Sequence, residues 1–246
     1  MQLARGMKSW STHQLKLKFS DYAVALPLLP KTFGHVGTAQ PPVPSGWGML
    51  GNDQYGDCVV AGAAHGLMTW NWATGRQIPQ FADQEIVKQY LGLTGGQDDG
   101  LDPVEFAAWW KSTGLADAAG KRHQIRSYTA VTDPQQAIEA AYIFGFSGLG
   151  LYIPDSAEDQ FSNGHVWDDL HSQPAGGHYV PLVGRNSAGN LVVVTWGKLQ
   201  AMTPEYLNKY FMGGVAYTSE DYMTAAGISP EGFDFTQLDD DMAGIG

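Results

Sequence analysis

The pattern of the chain changes a little beyond its midpoint, and this change restricts the fold more than any other feature. Before it, Asp102-Pro103 and Asp133-Pro134 place an aspartate cap and a proline where helices begin. After it, the apolar runs 146–153, 179–184 and 191–195 have the length of strands. Helices first and strands second predict an α+β fold with a helical lobe, a β-lobe and a cleft between them. The predicted helices span about 57–72, 81–92, 102–114, 133–145 and 203–211, and a last short strand spans 215–218.

These signals divide the chain into three parts. The predicted domain is 49–226, with the helical lobe at about 49–120 and the β-lobe at about 121–218. An N-terminal extended arm, 1–48, precedes it, and an acidic C-terminal tail, 227–246, follows it.

The arm contains five prolines between residues 27 and 44, which exclude regular helix there. Terminal segments are ordered only where they are tied down. We therefore expect the arm to bury Trp10, Phe19, Leu26 and Leu28 against its own domain or a neighbour.

Charge and hydropathy narrow the possible partners. The chain has 246 residues, 43% of them apolar and 16% charged, and a net charge of −11. This charge argues against nucleic acid and against an anionic membrane surface. No apolar run reaches the roughly 18 residues of a membrane span, and we find no signal peptide, so a cytoplasmic protein is expected. The run Asp239-Asp240-Asp241 is expected to be solvated.

The single cysteine, Cys58, follows the turn-rich stretch 51–57 and precedes small apolar residues. This context predicts that the sulfur lies in the first turn of a helix, where free N–H groups and the helix dipole favour a thiolate. A lone cysteine forms no internal disulfide, which leaves nucleophilic chemistry open. A small buried apolar residue is the alternative interpretation.

A second informative segment is Gly176-Gly177-His178, which opens an apolar strand. An isolated histidine at such a place is more often structural than catalytic. Beside a helix-start cysteine, however, an imidazole can take the thiol proton and form an ion pair, which is the nucleophile.

These segments resemble the papain-like cysteine peptidases. Gly56-x-Cys58 matches the core of the family's cysteine motif, Gly177-His178 matches its histidine strand, and Thr195-Trp196-Gly197 matches the end of its Asn-Ser-Trp-Gly motif. The likeness covers about residues 50–220, and the 120 residues between the cysteine and the histidine suit papain-like lobes. The sequences Gly-Asn-Asp-Gln-Tyr-Gly-Asp-Cys at 51–58 and Thr-Trp-Gly-Lys at 195–198 are similar to those of a bacterial or phage-borne branch of the family without an established activity.

The resemblance implies a two-lobe fold with the cysteine helix in the helical lobe and the histidine strand in the antiparallel β-lobe. It implies catalytic roles for Cys58, His178 and Asn52, with the Asn52 amide and the Cys58 N–H holding the oxyanion. Asn52 stands where the family has glutamine, and Gln54 is the second choice. Val194 stands where the family has the asparagine that orients the histidine, so a dyad, Thr195 or a main-chain carbonyl is expected there instead.

Other polar clusters carry less chemistry. A metal site formed by His165, Asp168, His171 and His178 is disfavoured by the glycine- and proline-bearing spacer, so neither a metal nor a cofactor is expected. We expect His65 to be a structural residue, and Asp98-Asp99 to lie in a solvated turn.

Two functional hypotheses follow. The first is a thiol hydrolase that cleaves a peptide or amide bond in a peptide or protein substrate. The second is a catalytically weak scaffold that binds a protein assembly partner, for example as a phage virion accessory protein or a homo-oligomer assembled through the arm.

Overall fold

The computed structural model describes residues 3, 6–8, 15–23, 28–34 and 46–245. The helices are α1 (Phe19–Tyr22), α2 (Cys58–Ala73), α3 (Asp83–Leu93), α4 (Pro103–Ser112), α5 (Pro134–Ile143), α6 (Ser156–Ser162), α7 (Pro204–Tyr210) and α8 (Thr236–Ile245). The strands are β1 (Phe33–Gly34), β2 (Leu115–Ala116), β3 (Arg122–His123), β4 (Ser127–Val131), β5 (Ser147–Pro154), β6 (Pro174–Arg185), β7 (Leu191–Thr195), β8 (Lys198–Met202) and β9 (Phe211–Thr218). The predicted α+β fold is confirmed. Within the described residues, no helix is long and apolar enough to span a bilayer.

The predicted helix starts are explained by their caps. The Asp102 carboxylate accepts from the Val104 N–H, and the Asp133 carboxylate accepts from the Gln136 N–H. In both cases a proline occupies the first helical position, where its missing N–H costs nothing. The side chain of Thr203 caps α7 in the same way.

One antiparallel sheet carries the β-lobe. Its strands lie in the order β4-β9-β5-β6-β7-β8, and β1 also pairs with β6. The sequence did not predict β4, β8 or the short helix α6. The predicted strand 179–184 is longer in the structure, because the glycines that precede it pair with β5 at Tyr152 and Ile153.

Helix α2 is buried along almost its whole length, and its glycines explain how the sheet approaches it. A methyl group on Gly62 would lie 2.7 Å from the Tyr179 ring, and one on Gly66 would lie 2.3 Å from the Phe146 ring. Any larger residue would therefore push the helix off β5 and β6. This close approach fixes the first residue of α2 against the strand that carries the predicted histidine.

Parts of the arm pack on the body of the protein. Phe19 is buried with its ring centroid 6.0 Å from that of Phe144, and the Ala130 N–H donates to the Leu17 carbonyl. Leu28, in contrast, is 99% exposed, so the expectation of burial was wrong there. Trp10 and Leu26 lie outside the described residues.

The acidic tail is more structured than the sequence indicated. It forms α8, which buries Leu238 and Met242. Asp239 is not solvated: its carboxylate pairs with the Arg126 guanidinium at 3.0 Å and accepts from the Thr218 hydroxyl at 2.7 Å. Leu238 and Met242 are four residues apart, so both lie on the same face of α8, and this face is the buried one.

We expect Gly66→Ala to destabilise the protein by about 1–3 kcal/mol, since overpacking a close helix–sheet contact has costs of this size. Urea unfolding at neutral pH measures the effect. The matched control is Gly92→Ala in α3, where an added methyl group meets nothing within 4 Å and should not lower stability. Equal midpoints for the two variants would contradict the close-approach argument.

Candidate active site

Cys58 is the first residue of α2 and is 1% exposed. The backbone N–H of Tyr179, on β6, donates to the Cys58 Sγ at 3.4 Å. Because Tyr179 directly follows His178, the two residues predicted to react belong to elements that meet at the sulfur. The predicted position of the cysteine at a helix start is confirmed.

His178 is fully buried and is held by two groups of the β7–β8 hairpin. Its Nε2 lies 2.7 Å from the Thr195 Oγ1, and its ring stacks on the Trp196 indole with centroids 4.7 Å apart. Thr195 thus contacts the imidazole where the resemblance left the orienting group open. Val194 is buried in β7 opposite Leu199.

The hairpin turn explains why Trp196 lies over the histidine. Trp196 and Gly197 connect β7 to β8 in two residues, and both have positive φ values, 44° and 75°. Such a turn matches the twist of the strands, but a tryptophan is strained in this conformation. The strain is offset by burial, since the indole is 1% exposed and covers the His178 ring.

A segment of the arm, residues 6–8, crosses the cleft above the cysteine. The Leu101 N–H donates to the Gly6 carbonyl at 2.9 Å, and the Lys8 N–H donates to the Leu101 carbonyl at 3.0 Å. The Met7 N–H donates to the Gly177 carbonyl at 3.4 Å, one residue before His178. The segment is so close to the site that a methyl group on Gly6 would lie 1.8 Å from the Gly56 carbonyl oxygen.

This covered position changes the chemistry expected of the thiol. The pKa of Cys58 is raised to about 12, chiefly by burial and to a smaller extent by the nearby Asp57, although N–H groups of Tyr179 and Gly6 act in the opposite direction. The expectation of a thiolate near neutral pH is therefore wrong for this covered form. Loss of water around the sulfur outweighs the helix terminus.

Asp57 precedes the cysteine and is also fully buried. Its side chain makes no capping bond to α2, although it occupies the N-cap position. Burial raises its pKa from 3.8 to about 8, against a smaller lowering effect of the Asn52 side chain. The carboxyl group next to the sulfur is thus mostly protonated at neutral pH.

The two candidate oxyanion donors lie in different places. Asn52 is buried, and its Nδ2 donates to the Tyr55 carbonyl within the same turn. Gln54 is exposed and lines a cleft cavity of about 680 Å³ together with Gly6 and Gly177. Because its side chain lines the cleft, Gln54 is the better-placed candidate oxyanion donor, although Asn52 is the residue at the family position.

Asp98 supports the loop before the cysteine, a role that the sequence did not predict. Its Oδ1 accepts from the Gly56 N–H at 2.8 Å and from the Tyr90 hydroxyl at 2.7 Å. Asp98 and Asp99 are exposed in an irregular loop, as the expected solvated turn requires, and Asp98 makes these contacts in addition. The residues around Asp98 give no sequence signal for a contact 42 residues away.

Among the other histidines that the structure describes, His65 has a structural role, as expected. The His65 Nε2 lies 3.1 Å from the carbonyls of Trp47 and Gly48, and burial lowers its pKa to about 4. Among the residues that the structure describes, no group of three or more His, Cys, Asp or Glu side chains could hold a metal ion, the set around His165 and His171 included.

Comparison with solved structures identifies the architecture as the papain-like fold. Xylellain, a cysteine protease from Xylella fastidiosa, superposes with a TM-score of 0.60 over 88% of this chain and 96% of its own, at 13% identity. Procathepsin L 3 of the Tenebrio molitor larval midgut gives 0.61 over 87% and 75%, at 10% identity. The cysteine protease CMS1MS2 of Carica candamarcensis gives 0.51 over 78% and 99%, at 14% identity.

No protein-family model matches the chain, and no curated protein sequence matches it significantly. At such low identities the structural likeness defines the fold, and the resemblance seen in the sequence around Cys58 and His178 is confirmed at that level.

We expect Gly6→Ala to raise the rate at which iodoacetamide alkylates Cys58 at neutral pH by about tenfold or more. The added methyl group cannot fit 1.8 Å from the Gly56 oxygen, so segment 6–8 must move away from the sulfur. Water then reaches the thiol, and its pKa falls toward the ordinary value near 8.5 or below. Mass spectrometry of the intact protein follows the reaction, with Gly92→Ala as the control. An unchanged rate would show that the segment does not protect the thiol.

Asp57→Asn should stabilise the protein in a pH-dependent manner. A raised folded-state pKa contributes stability below the unfolded value of 3.8, and this stability is lost as the pH rises through about 8. The variant should therefore match the wild type below about pH 4 and exceed it by up to about 4 kcal/mol near pH 7. Urea unfolding across this range tests it, and a pH-independent difference would contradict the buried, protonated carboxyl group.

Proposed function

We propose that the protein is a papain-like thiol hydrolase that cleaves a peptide or amide bond, and that the covered form is its resting state. The observation that carries the proposal is the arrangement around His178. Its Nε2 contacts Thr195, its ring is shielded by Trp196, and its strand donates to the Cys58 sulfur. A purely structural cysteine requires none of these contacts.

The Thr195 contact determines which nitrogen of the imidazole reacts. With the Nε2–H donating to the Thr195 Oγ1, Nδ1 is the nitrogen that accepts the thiol proton. The thiolate then attacks the substrate carbonyl carbon, and the oxygen of the tetrahedral intermediate is held by the Cys58 N–H and by Gln54 or Asn52. His178 returns its proton to the leaving amine as the C–N bond breaks. A water molecule, deprotonated by His178, then hydrolyses the thioester.

The cover over Cys58 determines when this chemistry takes place. In the covered form the thiol is protonated and the cleft backbone is already paired with residues 6–8. Departure of this segment frees the Leu101 and Gly177 main-chain groups for a peptide substrate. Solved structures with this fold include two procathepsins and the Amb a 11 cysteine protease in its proform, which agrees with a covered resting state.

The test is peptide hydrolysis by the uncovered full-length Gly6→Ala protein on a mixed peptide library, read by mass spectrometry. Adding Cys58→Ala should abolish turnover, and adding His178→Ala should lower it about 100-fold or more. Adding Thr195→Val should lower turnover by about tenfold, since the imidazole loses one hydrogen bond but keeps its stacking on Trp196. Turnover that survives Cys58→Ala would contradict the proposed nucleophile.

The oxyanion donor is identified by a pair of variants in the same Gly6→Ala background. Gln54→Ala should lower kcat by about 100-fold with little effect on stability, as for removal of one oxyanion donor. Asn52→Ala should lower stability through the lost Tyr55 contact. A large loss of kcat in Asn52→Ala alone would instead identify Asn52, the residue at the family position, as the oxyanion donor.

The second candidate is a catalytically weak papain-like scaffold in which the arm serves assembly. It is supported by the raised pKa of Cys58 and by Val194 at the family's asparagine position. In this case the partner is a protein, such as a virion component or a second copy, and the protein stays in the cytoplasm or on the particle. The test compares the alkylation rate of Cys58 in the Gly6→Ala protein with that in the Gly6→Ala/His178→Ala protein. Equal rates at every pH would favour this candidate.

A further inference from the structure

The cleft beside Cys58 is lined by an unusual concentration of negative charge. Among the described residues that line it, none is a lysine or an arginine. Five carboxylate side chains line the same cavity of about 680 Å³: Asp53, Asp98, Asp99, Asp155 and Glu158.

The chain itself shows which kind of peptide this cleft accepts. Segment 6–8 runs along this cavity: Gly6 and Met7 form part of its wall, and the backbone of the segment is paired to Leu101 and Gly177. The one cationic side chain of the segment, Lys8, places its Nζ 3.2 Å from the Asp99 carboxylate. The Glu158 carboxylate accepts from the backbone N–H of Leu3, further along the same arm.

The main-chain bonds of the segment are available to any peptide, whatever its sequence. Discrimination between peptides therefore depends on the side chains and on the field of the cleft. A concave site lined by one sign of charge concentrates ligands of the opposite sign and repels those of its own sign. Of the observed contacts, only the Lys8–Asp99 pair distinguishes one side-chain charge from the other.

We infer that the cleft selects cationic peptides, with Asp99 as the counter-ion of a lysine or arginine at the place of Lys8. The inference rests on the proposed function, in which a substrate replaces segment 6–8. It adds the substrate class: a peptide bearing basic residues, with an acidic peptide excluded by the five carboxylates.

A binding experiment tests this without catalysis. The full-length Gly6→Ala/Cys58→Ala variant is titrated with two fluorescent hexapeptides, Ala-Ala-Met-Lys-Ala-Ala and the same peptide with glutamate for lysine. We expect the lysine peptide to bind at least fivefold more tightly, with a preference that shrinks in high salt. Asp99→Asn should reduce the affinity for the lysine peptide about threefold, as expected for one exposed ion pair. Asp240→Asn, which removes the same charge from the tail helix, should not. Equal affinities, or no binding of either peptide, would overturn the inference.

A second measurement uses the natural cover and needs no added ligand. Lys8→Glu should raise the rate of Cys58 alkylation several-fold by driving the segment out of the acidic cleft, whereas Lys8→Arg should leave it unchanged. Equal rates for the two variants would overturn the inference even if Gly6→Ala fails to fold. Charge-selective binding without peptide hydrolysis would contradict the proposed function but not the charge selection. Hydrolysis of both peptides at the same rate would contradict the charge selection but not the proposed function.

Discussion

The structure depends on one close contact, the approach of helix α2 to strand β6. Small residues on the helix allow it, among them Gly62, which lies against the Tyr179 ring. The contact joins the helical lobe to the β-lobe and brings the Tyr179 N–H to the Cys58 sulfur. Loss of this fit would separate the two lobes as well as the two candidate catalytic residues, so the packing and the candidate chemistry share one cause.

Local signals explain how much of this could be predicted. The Asp-Pro starts of α4 and α5 and the turn-rich stretch before Cys58 act within a few residues, so the sequence shows them directly. The histidine strand could be predicted because its apolar run is continuous. The family resemblance then connected the two segments, which neither pattern does alone.

The missed features are those that depend on distant partners. Gly6 looks like any glycine until Gly56 and Gly100 are placed beside it. Thr195 is one of several polar residues near the strand end, and only the hairpin turn brings its hydroxyl to the His178 ring. The thiolate expected from the helix start failed for the same reason, because the pKa of Cys58 is raised by burial in the folded protein, which the local pattern does not show.

Two parts of the arm contact the body at different places, residues 6–8 at the cleft and residues 17 and 18 at strand β4. This limits how far the protein could be shortened from its N-terminus. β4 is an edge strand, and its outer side is met by the arm: the Ala130 N–H donates to Leu17, and Lys18 bridges to the same residue. An edge with open N–H and C=O groups invites pairing with another chain. Removal of residues 1–8 would open the cleft but leave the β4 edge covered by residues 17 and 18. Removal of residues 1–48 would also expose the β4 edge, and the protein would tend to self-associate.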